Sequence, residues 1–182
     1  AQHDRLEERR TREDAWVRLA RLSLETYVRT GRRLESLPDD LPQELTGQAA
    51  GAFVSLHVAG RLRGCIGTIV PAQETVAQEI VQNAVSAGTR DPRFPAVRAD
   101  ELDQLEYSVD VLGQPEPVDS PDQLDPGQYG VIVSCGQRRG LLLPDLDGVD
   151  TVEQQIDIAR RKGGIRAEDP YTLQRFKVVR HL

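Results

Sequence analysis

The sequence predicts an α+β fold built on a largely antiparallel sheet, and three observations carry that reading. Two hairpin signals, at Ala59-Gly60 and around Gln137 to Arg139, each lie between runs in which apolar and polar residues alternate. Segments of helical spacing separate the hairpins, yet the regular strand-helix-strand alternation of a parallel sheet does not run through the chain. The 182 residues are 38% hydrophobic, enough for one ordinary domain with a lean core.

Residues 1–10 are almost wholly polar and read as an N-terminal extension ahead of a single domain over 11–182. Thr11 with Asp14 resembles a capping box, and Val17, Ala20, Leu24, Tyr27 and Val28 then recur at helical spacing up to Gly31. The segment SLPDDLPQELTGQ reads as a surface loop. A hairpin starts at Gly51. A type I′ turn would need a positive φ at Ala59, so a three-residue loop with Gly60 as the bulge is preferred. That register sets Leu56 against Leu62 and Ala52 against Ile66 on an apolar face. The other, mixed face pairs Phe53 with Cys65, Ser55 with Arg63 and His57 with Arg61.

Pro71 leads into a helix striped by Val76, Ala77, Ile80, Val81 and Ala84 and closed by Gly88. The loop TRDPRFP, a short turn at ADELDQL and a strand at EYSVDVLG follow. Pro115, Pro117 and Pro121 break the chain into another loop. After the second hairpin, QYGVIVSCG with RGLLLP, Thr151 and Gln154 cap a last helix ending at Gly163-Gly164. YTLQRFKVVRHL closes as one strand. No internal repeat is visible.

Composition narrows the function classes. No apolar run approaches the ~18 residues of a membrane span. The 23 basic and 29 acidic residues give a net charge of −6, so neither nucleic acid nor membrane is an expected partner. Two cysteines, Cys65 and Cys135, build neither a disulfide framework nor a four-cysteine zinc site, and they fit a reducing, cytoplasmic setting. The motifs GxGxxG, GxxxxGK[ST], HExxH and CxxC do not occur, so no cofactor is expected. Asp145, Asp147, Asp150 and Glu153 miss the spacing of a calcium loop, and no metal is expected.

Chemistry concentrates at two places. Cys65 lies between Gly64 and Gly67, which allow close backbone approach, and Arg63 sits beside it to lower a thiol pKa. The alternative is a small polarisable residue packed between glycines. A cysteine-histidine dyad lacks support, since His57 is ~13 Å along the strand and His3 and His181 lie at the termini. In TRDPRFP, a turn at Asp91-Pro92 would direct Arg90 and Arg93 toward one anion, with Arg63 as a third ligand. The alternative is that Asp91 pairs with an arginine and locks the loop, with Phe94 as its anchor.

Three motifs together, LRGCIGT at 62–68, TRDPRFP at 89–95 and RGLLLP at 139–144 followed by ARRKGGI, resemble the AmmeMemoRadiSam system protein A family, or AMMECR domain. The similarity runs from about Ala15 to the C-terminal RFKVVRH. It implies an α+β fold with a smaller lobe and a cleft that contains LRGCIGT. It also implies two prokaryotic partners, a Memo-type protein similar to metal-dependent dioxygenases and a radical S-adenosylmethionine enzyme, the trio carrying out a covalent modification. Matched positions are Arg63, Gly64, Cys65, Gly67, Arg90, Asp91, Pro92, Arg93 and Phe94. Cys65 is the catalytic candidate, with Arg63, Gly64, Gly67, Arg90, Asp91 and Arg93 holding substrate. A non-catalytic binding module with a structural Cys65 is the alternative, and an exposed strand edge also allows a homodimer.

Overall fold

The structure is a computed structural model that describes residues 2–182. In chain order its elements are α1 (Gln2–Arg12), α2 (Ala15–Thr30), α3 (Gln43–Thr46), β1 (Ala52–Val58), β2 (Arg61–Gly67), α4 (Val76–Thr89), β3 (Glu106–Leu112), β4 (Glu116–Val118), β5 (Gly130–Cys135), β6 (Arg138–Leu142), α5 (Val152–Lys162), β7 (Thr172–Phe176) and β8 (Val178–His181). The α+β class with antiparallel sheets is as the sequence predicts. The chain is laid out as two compact units. One runs through Val111 and takes back Arg180–Leu182, and the other is Leu112–Val179.

Unit 1 is a four-stranded sheet in the order β2-β1-β3-β8, with α2 and α4 on one face. Its core is Leu19, Leu24, Val54, Leu56, Ile80 and Val109, together with Leu45 from α3. The expected surface loop thus holds one helical turn that anchors itself by a leucine. The polar N-terminus forms α1, and the Thr11 hydroxyl donates to the Glu8 carbonyl instead of opening α2. Asp14 is the cap of α2, its carboxylate accepting the Val17 N–H at 3.1 Å. The helix ends on Gly31 at φ 72°, as its glycine suggests.

The first hairpin departs from the expected register. Val58 pairs with Arg61 across a two-residue turn in which Ala59 adopts φ 52° and Gly60 φ 79°. The conformation expected to be avoided at Ala59 is adopted. The bulge lies elsewhere. His57 faces Leu62 and Leu56 faces Gly64, which leaves Arg63 as the extra residue. Beyond the bulge Ser55 faces Cys65, Val54 faces Ile66 and Phe53 faces Gly67. The pairings Phe53 with Cys65, Ser55 with Arg63 and Leu56 with Leu62 are therefore each displaced.

Helix α4 starts on Thr75, whose hydroxyl accepts the Gln78 N–H, and it runs past Gly88 to Thr89. Gly88 does not close the helix. A Cβ there would lie 2.4 Å from Leu24 Cδ1, so the missing side chain lets α2 and α4 approach. Gly88→Ala is expected to cost about 1–3 kcal/mol of stability. A thermal midpoint equal to that of the parent would show that Leu24 yields freely.

Unit 2 is the sheet β4-β7-β5-β6 with α5 on one face over Val131, Val133, Leu142, Ile156, Ala159 and Leu173. The capping box of Thr151 and Gln154 forms as expected. The proline-broken segment contains β4, and Pro117 is tolerated because β4 is an edge strand. The closing strand is two strands in two sheets, parted at Lys177, whose carbonyl accepts the Gly113 N–H at 2.8 Å.

The two units share an order that the sequence hides. In each, a hairpin is followed by a helix and then by a strand that pairs with the hairpin's first strand, giving β2-β1-β3 and β6-β5-β7. Each helix is capped by a threonine, Thr75 and Thr151. Each second strand passes a glycine beneath the helix: a Cβ on Gly64 would meet the Ala87 carbonyl oxygen at 2.2 Å, and one on Gly140 the Ala159 carbonyl oxygen at 1.7 Å. Among the described residues no helix is long and apolar enough to cross a membrane, and no group of three or more His, Cys, Asp and Glu is placed to hold a metal ion.

Candidate functional site

On the sheet of unit 1, the face opposite α4 takes the residues that alternate with the core. Register places Cys65 opposite Ser55 and Ser55 opposite Ser108, a row of small polar side chains across three strands. The row of Gly67, Phe53 and Asp110 flanks it on one side, and that of Leu62, His57 and Glu106 on the other. The Ser55 hydroxyl donates to Cys65 Sγ at 3.2 Å. Burial pushes the Cys65 thiol above its ordinary pKa. The Ser55 hydrogen bond and the Arg93 charge pull it down, while Asp110 and Asp91 add to the rise. At neutral pH the site therefore holds a thiol.

Among the described residues no histidine is hydrogen-bonded to that thiol. His57 shares the face one row away. His181 stacks on Trp16 at a centroid distance of 4.4 Å, with Nδ1 2.5 Å from Asp14 Oδ2. His3 lies 3.8 Å from Glu7.

The segment 90–94 closes the open edge of β2. The Cys65 N–H points away from β1 and donates to Asp91 Oδ2 at 3.0 Å, and the Arg93 guanidinium reaches the Cys65 carbonyl at 3.5 Å. Asp91 and Arg93 thus stand where the next strand's carbonyl and N–H would be. Arg93 Nη2 and Nε donate to Asp91 at 2.8 and 3.1 Å, and the Arg93 N–H donates to Oδ1 at 3.0 Å. Hydrogen bonding to Arg93 holds the buried Asp91 carboxyl far below the usual carboxylate range, against the opposing effect of burial. This is the locked loop weighed as the alternative. The Arg93 guanidinium also lies 5.5 Å over the Phe94 ring.

The expected trio of arginines is not assembled around one anion. Arg63, the bulged residue, turns to Glu101, with Nε 2.9 Å from Oε2 and Nη2 3.3 Å from Oε1. Arg93 is committed to Asp91. Arg90 follows α4 with an exposed side chain, and among the described residues no contact joins it to the other two. The candidate glycines have packing reasons for being small: Gly64 admits α4, and the Phe53 ring lies across Gly67, where a Cβ would meet it at 2.2 Å. Cys135, the other thiol, is half-buried at the end of β5, with Arg138 Nη2 3.6 Å from its sulfur.

Ser108, Asp110 and Glu101 were not among the sequence candidates. The first two were within reach, since strict alternation in EYSVDVLG puts Ser108 and Asp110 on its polar side. Asp110 is nearly buried and is held by Arg180 Nε at 2.8 Å. The equivalent row in unit 2, at the residue directly after the shared Arg-Gly pair, is Ile132 opposite Leu141, both buried. The same place in the layout is thus aliphatic in unit 2 and polar in unit 1.

Fold and site together define a two-unit α+β protein with a thiol-hydroxyl pair on the sheet face opposite α4, its edge sealed by an Asp-Arg loop. The chain belongs to the AMMECR1 family, whose model matches residues 17–181. A protein of Thermotoga maritima is 51% identical over 172 residues, 93% of this chain and 98% of that protein. A protein of Clostridium acetobutylicum is 47% identical over 178 residues, and there the match spans 98% of this chain but only 38% of the longer relative. The crystal structure of an uncharacterized Pyrococcus horikoshii protein superposes with a TM-score of 0.82 at 32% identity, over 91% of this chain and 88% of that one.

Proposed function

We propose that this chain is a recognition component of a three-protein modification system, the protein A that works beside a Memo-type protein and a radical S-adenosylmethionine enzyme. In this reading the polar face around Ser55 and Ser108 with the Arg93 loop binds the substrate or partner, Cys65 is structural, and the covalent chemistry belongs to the other two proteins. The observation that carries it is the half-buried Cys65 sulfur, which accepts the Ser55 hydroxyl at 3.2 Å and among the described residues has no histidine hydrogen-bonded to it, burial pushing its thiol pKa up. Both nearby guanidinium groups are already engaged by carboxylates. The system itself is inferred from the family resemblance, and the cytoplasmic setting from cysteine usage.

Nucleophilic Cys65 is the second reading, favoured by the Arg93 charge and the Ser55 hydrogen bond, which both work toward thiolate. Alkylation across pH separates the two. A raised thiol pKa means that Cys65 reacts slowly at pH 7 and speeds up only above the ordinary thiol value of about 8.5. Rapid alkylation of native protein well below pH 8 would overturn the recognition reading. The same proteins then give a binding test: Cys65→Ser should retain affinity for the Memo-type partner, and Arg93→Ala should weaken it. Full affinity in Arg93→Ala, or loss of modification in Cys65→Ser with binding and stability intact, would count against recognition.

A further inference from the structure

Helix α1 is docked on unit 1 in an unusual way for an amphipathic element, because it buries one apolar side chain, Leu6, and is otherwise held by arginine. Arg9 Nη1 and Arg5 Nη2 reach Glu106 Oε2 at 2.7 and 3.2 Å. Arg9 Nη2 donates to the Tyr107 carbonyl at 3.1 Å, and Arg10 Nη2 to the Leu102 carbonyl at 3.2 Å. The Glu106 side chain is only 5% exposed, and its second oxygen accepts the Gly60 N–H at 3.4 Å. One nearly buried carboxylate thus ties α1, the β1-β2 turn and β3 together.

The seat beneath α1 is poorly satisfied. A small cavity there is lined by Leu6, Arg9, Val17, Glu106 and Tyr107 among others. The Tyr107 hydroxyl and Arg10 Nε are buried beside it without a hydrogen-bond partner, which opposes docking. An 11-residue helix is marginal in water on its own, so α1 has little reason to stay ordered once released. The family model's match begins at Val17, after α1, while the match to the Clostridium acetobutylicum protein takes in 98% of the chain and so includes this helix.

We propose that α1 is a detachable strap. It opens while α2, α4 and the sheet stay folded, its closure is set by the grip of Arg5 and Arg9 on Glu106, and its opening uncovers the Glu106 end of the polar sheet face. Glu106 stands opposite His57, one row from Ser55 and Cys65, so the open state returns a carboxylate to solvent beside the candidate site, while Tyr107 belongs to the opposite, core-facing side of β3. A carboxylate freed of its arginines suits a cationic ligand. The inference does not rest on the recognition reading.

Amide hydrogen exchange on the full chain tests it. In the parent, α1 amides should exchange at least about tenfold faster than those of α2 and α4, the mark of local opening. The double variant Arg5→Gln, Arg9→Gln should accelerate α1 by a further tenfold or so, on the strength of charge-assisted hydrogen bonds, and leave the rest unchanged. Because that variant leaves Glu106 alone in its seat, a triple variant that adds Glu106→Gln removes the unpaired charge and should show the same fast α1 exchange if the double variant does not fold. Exchange of α1 in step with α2 and α4 in the parent, or protection of α1 retained in the folded variant, overturns the strap.

Discussion

A Gly64→Ala variant is expected to lose about 3 kcal/mol of stability or more, because its methyl group enters backbone rather than side chain. The added Cβ would lie 2.2 Å from the Ala87 carbonyl oxygen and 3.2 Å from its carbonyl carbon. Flexible neighbours can give way; a carbonyl in the last turns of α4 moves only with the helix. Since α4 packs on both β1 and β2, relief of the clash strains the core around Leu56 and Ile80. Gly88→Ala, whose nearest contacts are all in the Leu24 side chain, should be clearly milder. Denaturant unfolding of the two variants side by side checks this, and a Gly64→Ala midpoint matching that of Gly88→Ala would show that α4 rides over the sheet without cost.

The second large effect is expected for Asp91→Ala, at about 2 kcal/mol or more. Its carboxylate satisfies the Cys65 N–H and the Arg93 N–H, and its removal leaves the former on a partly buried strand edge. The ion pair contributes less than its 2.8 Å distance suggests, since the Arg93 side chain is 57% exposed and solvent screens it. A pH series gives the sign. The folded-state pKa of Asp91 is lowered, so its stabilisation is fully present above the unfolded carboxylate value near 4 and is lost as pH falls below it. The parent should therefore exceed the variant by a constant margin from pH 8 to 5, and the margin should narrow on further acidification. A margin that grows in acid would sink the assignment. The freed β2 edge should also promote association of Asp91→Ala between chains, visible by size-exclusion chromatography.

Much of the fold was legible because local chemistry and tertiary packing agree. The Thr151 and Gln154 box and the stripe of α4 are consistent at every level. What failed was what neighbours decide. Ala59 at positive φ is unfavourable in isolation, but a bulge at Arg63 accommodates it and turns that side chain toward Glu101. The polar N-terminus carries no apolar stripe, so its helix, seated on Glu106 nearly a hundred residues away, had no local signal. Of the site, Cys65 and the Asp91 loop were readable as motifs. Their hydrogen bonds were not, because Ser55, Cys65 and Asp91 meet only once the β1-β2 register is set.

The shared hairpin-helix-strand order has a consequence for how sequences of this kind can change. Two copies of one layout need not carry two copies of its chemistry. In each, the glycine under the helix is fixed by the backbone it touches, and Gly64 and Gly140 both sit after an arginine. The row beside it is unconstrained by that contact: Ser55 and Cys65 in one unit, Ile132 and Leu141 in the other. A repeated layout thus fixes the glycine under each helix and leaves the neighbouring row free to differ between the halves.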